Sequence, residues 1–168
     1  MNEKTKWNIL ILLIILCLVI FLIGISDDFI NNVEIANKEQ SAIVTFHLDN
    51  LTPVVIICEV ASSAEKRSVG LMFYEKLPED EGILFVYDFP HNVSFWMKNT
   101  FIPLDIVFLD ETGTVINVEE ADVQLNASDE ELKRYFSTLP AKWVVETNQG
   151  LCKTYGIEVG TNVSIEFL

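Results

Sequence analysis

From Ala42 onward the chain alternates apolar and polar positions in short runs bounded by turn residues. That period of two is the mark of β-strands with one face toward a core. Ala42–Leu48 and Pro53–Ala61 flank Asp49-Asn50-Leu51-Thr52 and read as a hairpin. Further strands are predicted over Gly82–Tyr87, Val93–Lys98, Leu104–Leu109, Thr114–Glu119, Lys142–Thr147 and Asn162–Phe167. Asp110-Glu111-Thr112-Gly113 supplies a turn, because glycine takes positive φ without a steric cost. Two or three short helices interrupt the strands. Ser62-Ser63-Ala64-Glu65 has capping-box chemistry and opens a helix toward Gly70. Ser128 to Phe136 places Asp129, Glu130 and Glu131 at a helix N-terminus, and Asn148 to Tyr155 is closed by Gly156. Short strands without a repeating strand–helix rhythm predict a mainly β domain, an antiparallel sandwich or barrel.

The first 40 residues follow a different pattern. Lys4 and Lys6 precede the unbroken apolar run Ile9–Ile25, and Asp27 and Asp28 follow it. Such a helix would be roughly 26 Å long, near the lower limit for crossing a bilayer. The run exceeds a typical signal-peptide core, and Gly24-Ile25-Ser26 is a weak cleavage site. Residues 1–25 are therefore expected to be a retained transmembrane anchor or uncleaved signal, and 26–40 a polar linker. Residues 41–168 form the working domain. The flanking charges put the N-terminus in the cytoplasm and that domain outside the cell membrane. Cleavage would instead release it as a secreted protein.

Charge narrows the partners. The formal net charge is −14 over 168 residues. A potential of that sign repels phosphate backbones, so nucleic acid is not expected as a partner. Asn50, Asn92, Asn126 and Asn162 begin Asn-x-Ser/Thr motifs, compatible with glycosylation of an exported domain. Cys17 sits within the apolar run, which leaves Cys58 and Cys152 in the exterior domain with no spacing that pairs them. With His47 and His91 as the only histidines and no C-x-x-C or H-x-x-x-H spacing, no metal and no cofactor is expected.

The candidate chemistry lies where charges interrupt apolar strands. The run Phe95 to Asp105 embeds Lys98 and Asp105 among large apolar residues, and Trp143-Val144-Val145-Glu146 repeats the theme. An unpaired buried charge costs several kcal/mol, so Asp105 and Glu146 are expected to meet Arg67 and Lys98. Two neighbouring carboxylates could have their pKa values pushed apart, as acid/base catalysis requires, which makes Asp105 and Glu146 the catalytic candidates. The same cluster also reads as ion pairs that pin strand ends. Met72 and Trp96 read either as core or as the wall of a pocket, with Lys98 and Asn99 at an exposed strand end.

The order of these motifs is more specific than any one of them. Glu65-Lys66-Arg67, Gly70-Leu71-Met72-Phe73, Leu77 through Phe85, the Phe95-to-Asp105 run and Pro140 through Glu146 resemble domain-of-unknown-function family 192, also called uncharacterised protein family 0127. The resemblance spans about residues 54 to 167. It implies a compact, mainly β, jelly-roll-like domain, often behind a signal or anchor, with no established activity or cofactor. The family's recurrent polar positions fall on Arg67, Lys98, Asn99, Asp105 and Glu146. The sequence departs from the pattern at Tyr74, where the family usually has arginine, and at Val123-Gln124, where it usually has a Pro-Cys pair.

Three functions follow from these residues. The first is a membrane-tethered module that binds a small molecule, glycan or envelope protein through Arg67, Met72, Trp96, Lys98, Asn99, Asp105 and Glu146. The second is an extracytoplasmic hydrolase or isomerase using the two carboxylates. The third is a structural accessory of a cell-envelope complex.

Overall fold

A computed structural model describes residues 40–49 and 52–168. The predicted anchor over 1–25, nearly all of the linker, and Asn50-Leu51 of the first turn lie outside the described residues. Among the described residues no helix is long and apolar enough to cross a membrane.

The elements run β1 (Ser41–His47), β2 (Val54–Ala61), α1 (Ala64–Val69), β3 (Glu81–His91), β4 (Ser94–Phe95), β5 (Leu104–Leu109), β6 (Val115–Ala121), β7 (Tyr135–Phe136), β8 (Ala141–Asn148), α2 (Leu151–Tyr155) and β9 (Asn162–Phe167). Seven strands form one sheet in the order β6-β5-β8-β3-β2-β1-β9, and β4 pairs with β7 in a small ribbon. The domain is mainly β, as the alternation predicts.

The sheet is not purely antiparallel. β2 and β3 pair in parallel, Ile57 opposite Glu81 through Ala61 opposite Phe85, with α1 in the crossover between them. Parallel neighbours need such a crossover. A six-residue helix is too short to leave a clear helical period in the sequence. The second predicted helix also fails. Ser128 and Glu131 make the expected capping bonds, Ser128 N and Oγ donating to Glu131 Oε2 at 3.0 and 2.8 Å. The chain then turns once and enters β7. Leu132 and Tyr135 are its buried residues, too few to give a longer helix an apolar face.

The sheet curls until its two edges touch at one end. Thr114 bridges Asn162, Val115 N donates to Thr161 O at 2.9 Å, and Val163 N donates to Gly113 O at 2.8 Å. Gly113 has φ +81°, and a Cβ there would run into the Val163 carbonyl. The turn that starts β6 therefore needs glycine both for its backbone and for this close approach. Asp110 Oδ1 completes it by accepting from Thr112 N and Thr114 N at 2.8 and 2.9 Å.

Curling gives the sheet two different cores. The concave side packs Val44, Ile56, Leu84, Val107 and Val145 with Val115 and Val163 from the two edges, capped by Cys152 of α2. The opposite side packs Ile83, Phe85, Ile106, Phe108 and Val144 beneath Phe95, Met97 and Tyr135. Phe95 holds edge-to-face contacts with Phe85 at 4.8 Å and Phe108 at 5.8 Å between ring centres. β5 and β8 are therefore buried on both faces, and any polar residue in them must project into one core or the other.

Candidate functional site

Register decides where those polar residues go. Asp105 of β5 lies opposite Thr147 of β8, while Ile106 lies opposite Glu146. Successive side chains alternate faces, so Asp105 and Thr147 enter the concave core and Glu146 enters the other. The expected cluster of Asp105 with Glu146 does not form. The two carboxyl groups project from opposite faces of one sheet and cannot act on one substrate atom.

Asp105 is engaged at the start of α2. It is 1% exposed, and its Oδ2 accepts from Cys152 N, in the first turn of α2, at 2.9 Å. Its Oδ1 and the Thr147 Oγ1 are sealed from solvent without a hydrogen-bond partner among the described residues. Cys152 and Cys58 are free buried thiols in this same core. Burial raises both, with the Asp105 carboxyl adding to the effect at Cys152, while Cys58 is pushed up to about 12. Neither thiol is a nucleophile near neutral pH.

Glu146 has a different setting. It lines a small recess with Arg67, Gly70, Met72, Trp96 and Thr100, floored by Phe85 and Phe95. α1 brings Arg67. The helix is capped by Ser63 Oγ, which accepts from Lys66 N at 3.1 Å, and ends at Gly70 with φ +49°. A Cβ on Gly70 would stand 3.0 Å from the Phe85 ring and 3.7 Å from Glu146 Oε2, so glycine keeps the recess open above the carboxyl. The segment after β4 brings Trp96 and Thr100.

The recess holds about 30 Å³, room for one or two waters. Glu146 is 5% exposed, and its carboxyl forms no hydrogen bond or ion pair with any described residue. Burial pushes its carboxyl up to about 8, so it carries its proton at neutral pH. Arg67 does not neutralise it. Arg67 Nη1 donates to the carbonyls of Ser62 and Val86, and the guanidinium lies 5.0 Å from the centre of the Tyr87 ring. A cation and a carboxylic acid thus border one space without pairing.

Lys98 and Asn99 line a neighbouring cleft of about 100 Å³ with Phe101, Gln124, Leu125 and Asp129. Lys98 Nζ pairs with Asp129 Oδ2 at 2.5 Å on the exposed surface, a pairing of small energetic weight. It also lies 5.2 Å from the centre of the Trp96 ring, and Arg134 lies 4.0 Å from the same centre. Asn99 and Phe73 are the two non-glycine residues at positive φ among those described, 53° and 69°. Phe73 N donates to Asn99 O at 2.8 Å, which clamps the two loops together beside the recess. Two unfavourable backbone conformations held by one hydrogen bond are the kind of strain that gathers at functional sites.

Of the seven residues singled out from the sequence, the fold therefore brings Arg67, Met72, Trp96 and Glu146 to one recess and Lys98 and Asn99 to the adjoining cleft. Asp105 is on the far face. Gly70, Thr100 and Arg134 were missed. Thr100 directly follows Asn99, which was a usable signal. Arg134 lay inside the predicted helix, and nothing in the sequence linked it to Trp96. Among the described residues no group of three His, Cys, Asp or Glu side chains could hold a metal.

Two solved bacterial structures are similar to this one. One, from Sinorhizobium meliloti, is provisionally described as a transcription regulator. It is 28% identical with a TM-score of 0.66, covering 74% of this chain and 92% of that one. The other, a protein of unknown function from Novosphingobium aromaticivorans, is 32% identical with a TM-score of 0.62, covering 73% of this chain and 83% of that one. No curated protein matches the chain. The model of the domain-of-unknown-function family 192, described as Uncharacterized ACR, matches residues 46–165, and the chain belongs to that family.

Proposed function

We propose that the domain is a ligand-binding module, tethered outside the cell membrane by the apolar segment Ile9–Ile25. The observation that carries the binding reading is Glu146. A carboxyl group buried in a core has a desolvation cost that a structural role would offset with a partner. Glu146 has none among the described residues, and it faces a recess that Gly70 keeps open. The tether rests on the charge pattern around that segment alone.

Placing Asp105 on the opposite face removes the carboxylate pair on which the hydrolase or isomerase reading depended. The net charge of −14 speaks against nucleic acid, whatever the description of the Sinorhizobium protein.

The test is a panel of small polar molecules, oligosaccharides and short peptides, read by NMR at the indole N–H of Trp96. Binders should shift this signal saturably. Met72→Trp, which fills the recess, should abolish the shift while the domain still unfolds cooperatively. Binders that shift Trp96 equally in the filled variant would remove the recess from the proposal.

A further inference from the structure

We propose that the recess is a seat for a terminal carboxylate group, gripped between the guanidinium of Arg67 and the carboxyl of Glu146. This rests on the ligand-binding reading above and adds the chemical class of the ligand.

Arg67 spends Nη1 on the carbonyls of Ser62 and Val86, which fixes the guanidinium in place. Its Nε and Nη2 make no hydrogen bond to a described residue. A guanidinium fork with spare donors recognises a planar oxyanion, and carboxylate matches its geometry. Glu146 is the second element. Unlike Asp105 Oδ1, its oxygens are not sealed, so they meet whatever occupies the recess. A neutral carboxyl presents an O–H donor to an incoming anion, whereas an ionised one would repel it.

Charge and size speak against cations and tetrahedral oxyanions. A cationic ligand would have to sit beside Arg67, and Glu146 would have to ionise in an apolar setting to attract it. Phosphate or sulfate presents more oxygens than a space of about 30 Å³ accepts, whereas the two oxygens of a carboxylate replace one or two waters. The ligand's remaining body would extend past Trp96 toward the cleft of Lys98 and Asn99.

The seat is also sensitive to pH. The charged or titratable groups facing Glu146 are Arg67 of α1 and the phenol of Tyr87 on β3. Its strand neighbours Ile83 and Ile106 carry no charge, and Lys98 is engaged by Asp129 in the next cleft. Loss of the Glu146 proton would place two anions across one small space, so carboxylate affinity should fall as pH rises through about 8.

The experiment uses the full chain in detergent, titrated with acetate, propionate and hexanoate, with methylammonium and glycerol as controls, read at the Trp96 indole. Carboxylates should bind saturably at pH 6.5 and at least tenfold more weakly at pH 9.5. Glu146→Gln should bind at both pH values alike, because its amide N–H replaces the acid O–H. Arg67→Gln should lose binding at least tenfold, and Arg67→Lys, which keeps the charge without the fork, should lose less. Failure of every carboxylate at pH 6.5 overturns the carboxylate seat. If neutral glycans or peptides still shift Trp96, the ligand-binding reading stands without it. Equal carboxylate affinity at the two pH values in the unmodified chain overturns the role given to Glu146.

Discussion

Glu146 and Asp105 are two buried acids on adjacent strands with opposite consequences for the protein. Because burial raises Glu146 to about 8, the folded chain keeps a proton there that the unfolded chain releases above about pH 4. Its contribution therefore favours folding less as pH rises from about 4 to 8 and levels off above that. Guanidinium unfolding at pH 5 and pH 8.5 should show the unmodified chain losing on the order of a few kcal/mol between them relative to Glu146→Gln. A parallel pH dependence in the two proteins would mean Glu146 is ionised throughout. Asp105→Ala should cost about 1–3 kcal/mol, since it strands the buried Cys152 N–H, yet leave the Trp96 indole environment unchanged. A shifted Trp96 signal in that variant would couple the two faces. The sequence marks both acids as unusual, because charges in apolar strands are visible there. It does not show that they face apart, since strand alternation locates a residue only within its own strand. The register of Asp105 on Thr147 and Ile106 on Glu146 belongs to the pairing of two distant segments.

At the scale of elements, α1 is the part on which the recess depends. Its six residues have no buried side chain, so its N-cap and C-terminal glycine matter more than packing. Ser63→Ala should cost about 1 kcal/mol and broaden the Arg67 signals, because the helix holds Arg67 in position. An unchanged melting temperature would show the helix held by other contacts. Strand ends were readable where alternation is strong. Leu104–Leu109 and Asn162–Phe167 form strands with the predicted limits. Two features were not readable. The parallel pairing of β2 with β3 depends on a crossover without a clear period, and the Ser128–Glu131 cap begins a turn whose continuation is decided by β7 pairing with β4. Local capping chemistry formed as expected, and tertiary pairing overrode what followed it.

For the whole molecule, the curl of the sheet creates two cores and leaves the Arg67–Glu146 recess on the side that the chain covers with short elements and loops. Closure depends on Gly113. Gly113→Ala should destabilise by at least about 1 kcal/mol and be seen first as faster amide exchange where Val163 meets the turn. Residues 40–168 carry far more acidic than basic side chains, so a duplex of random sequence should show no mobility shift with this protein at physiological salt. A salt-dependent shift would reverse the partner assignment. On this reading Glu146 stands protonated and without a side-chain partner in an open recess that Arg67 also lines. The most direct test is a ¹³C NMR titration of the Glu146 side-chain carboxyl. The expected midpoint lies near 8 and is displaced upward when acetate is bound. A midpoint in the ordinary carboxylate range, about 4, would mean an ionised Glu146 already paired in the protein, and would contradict it.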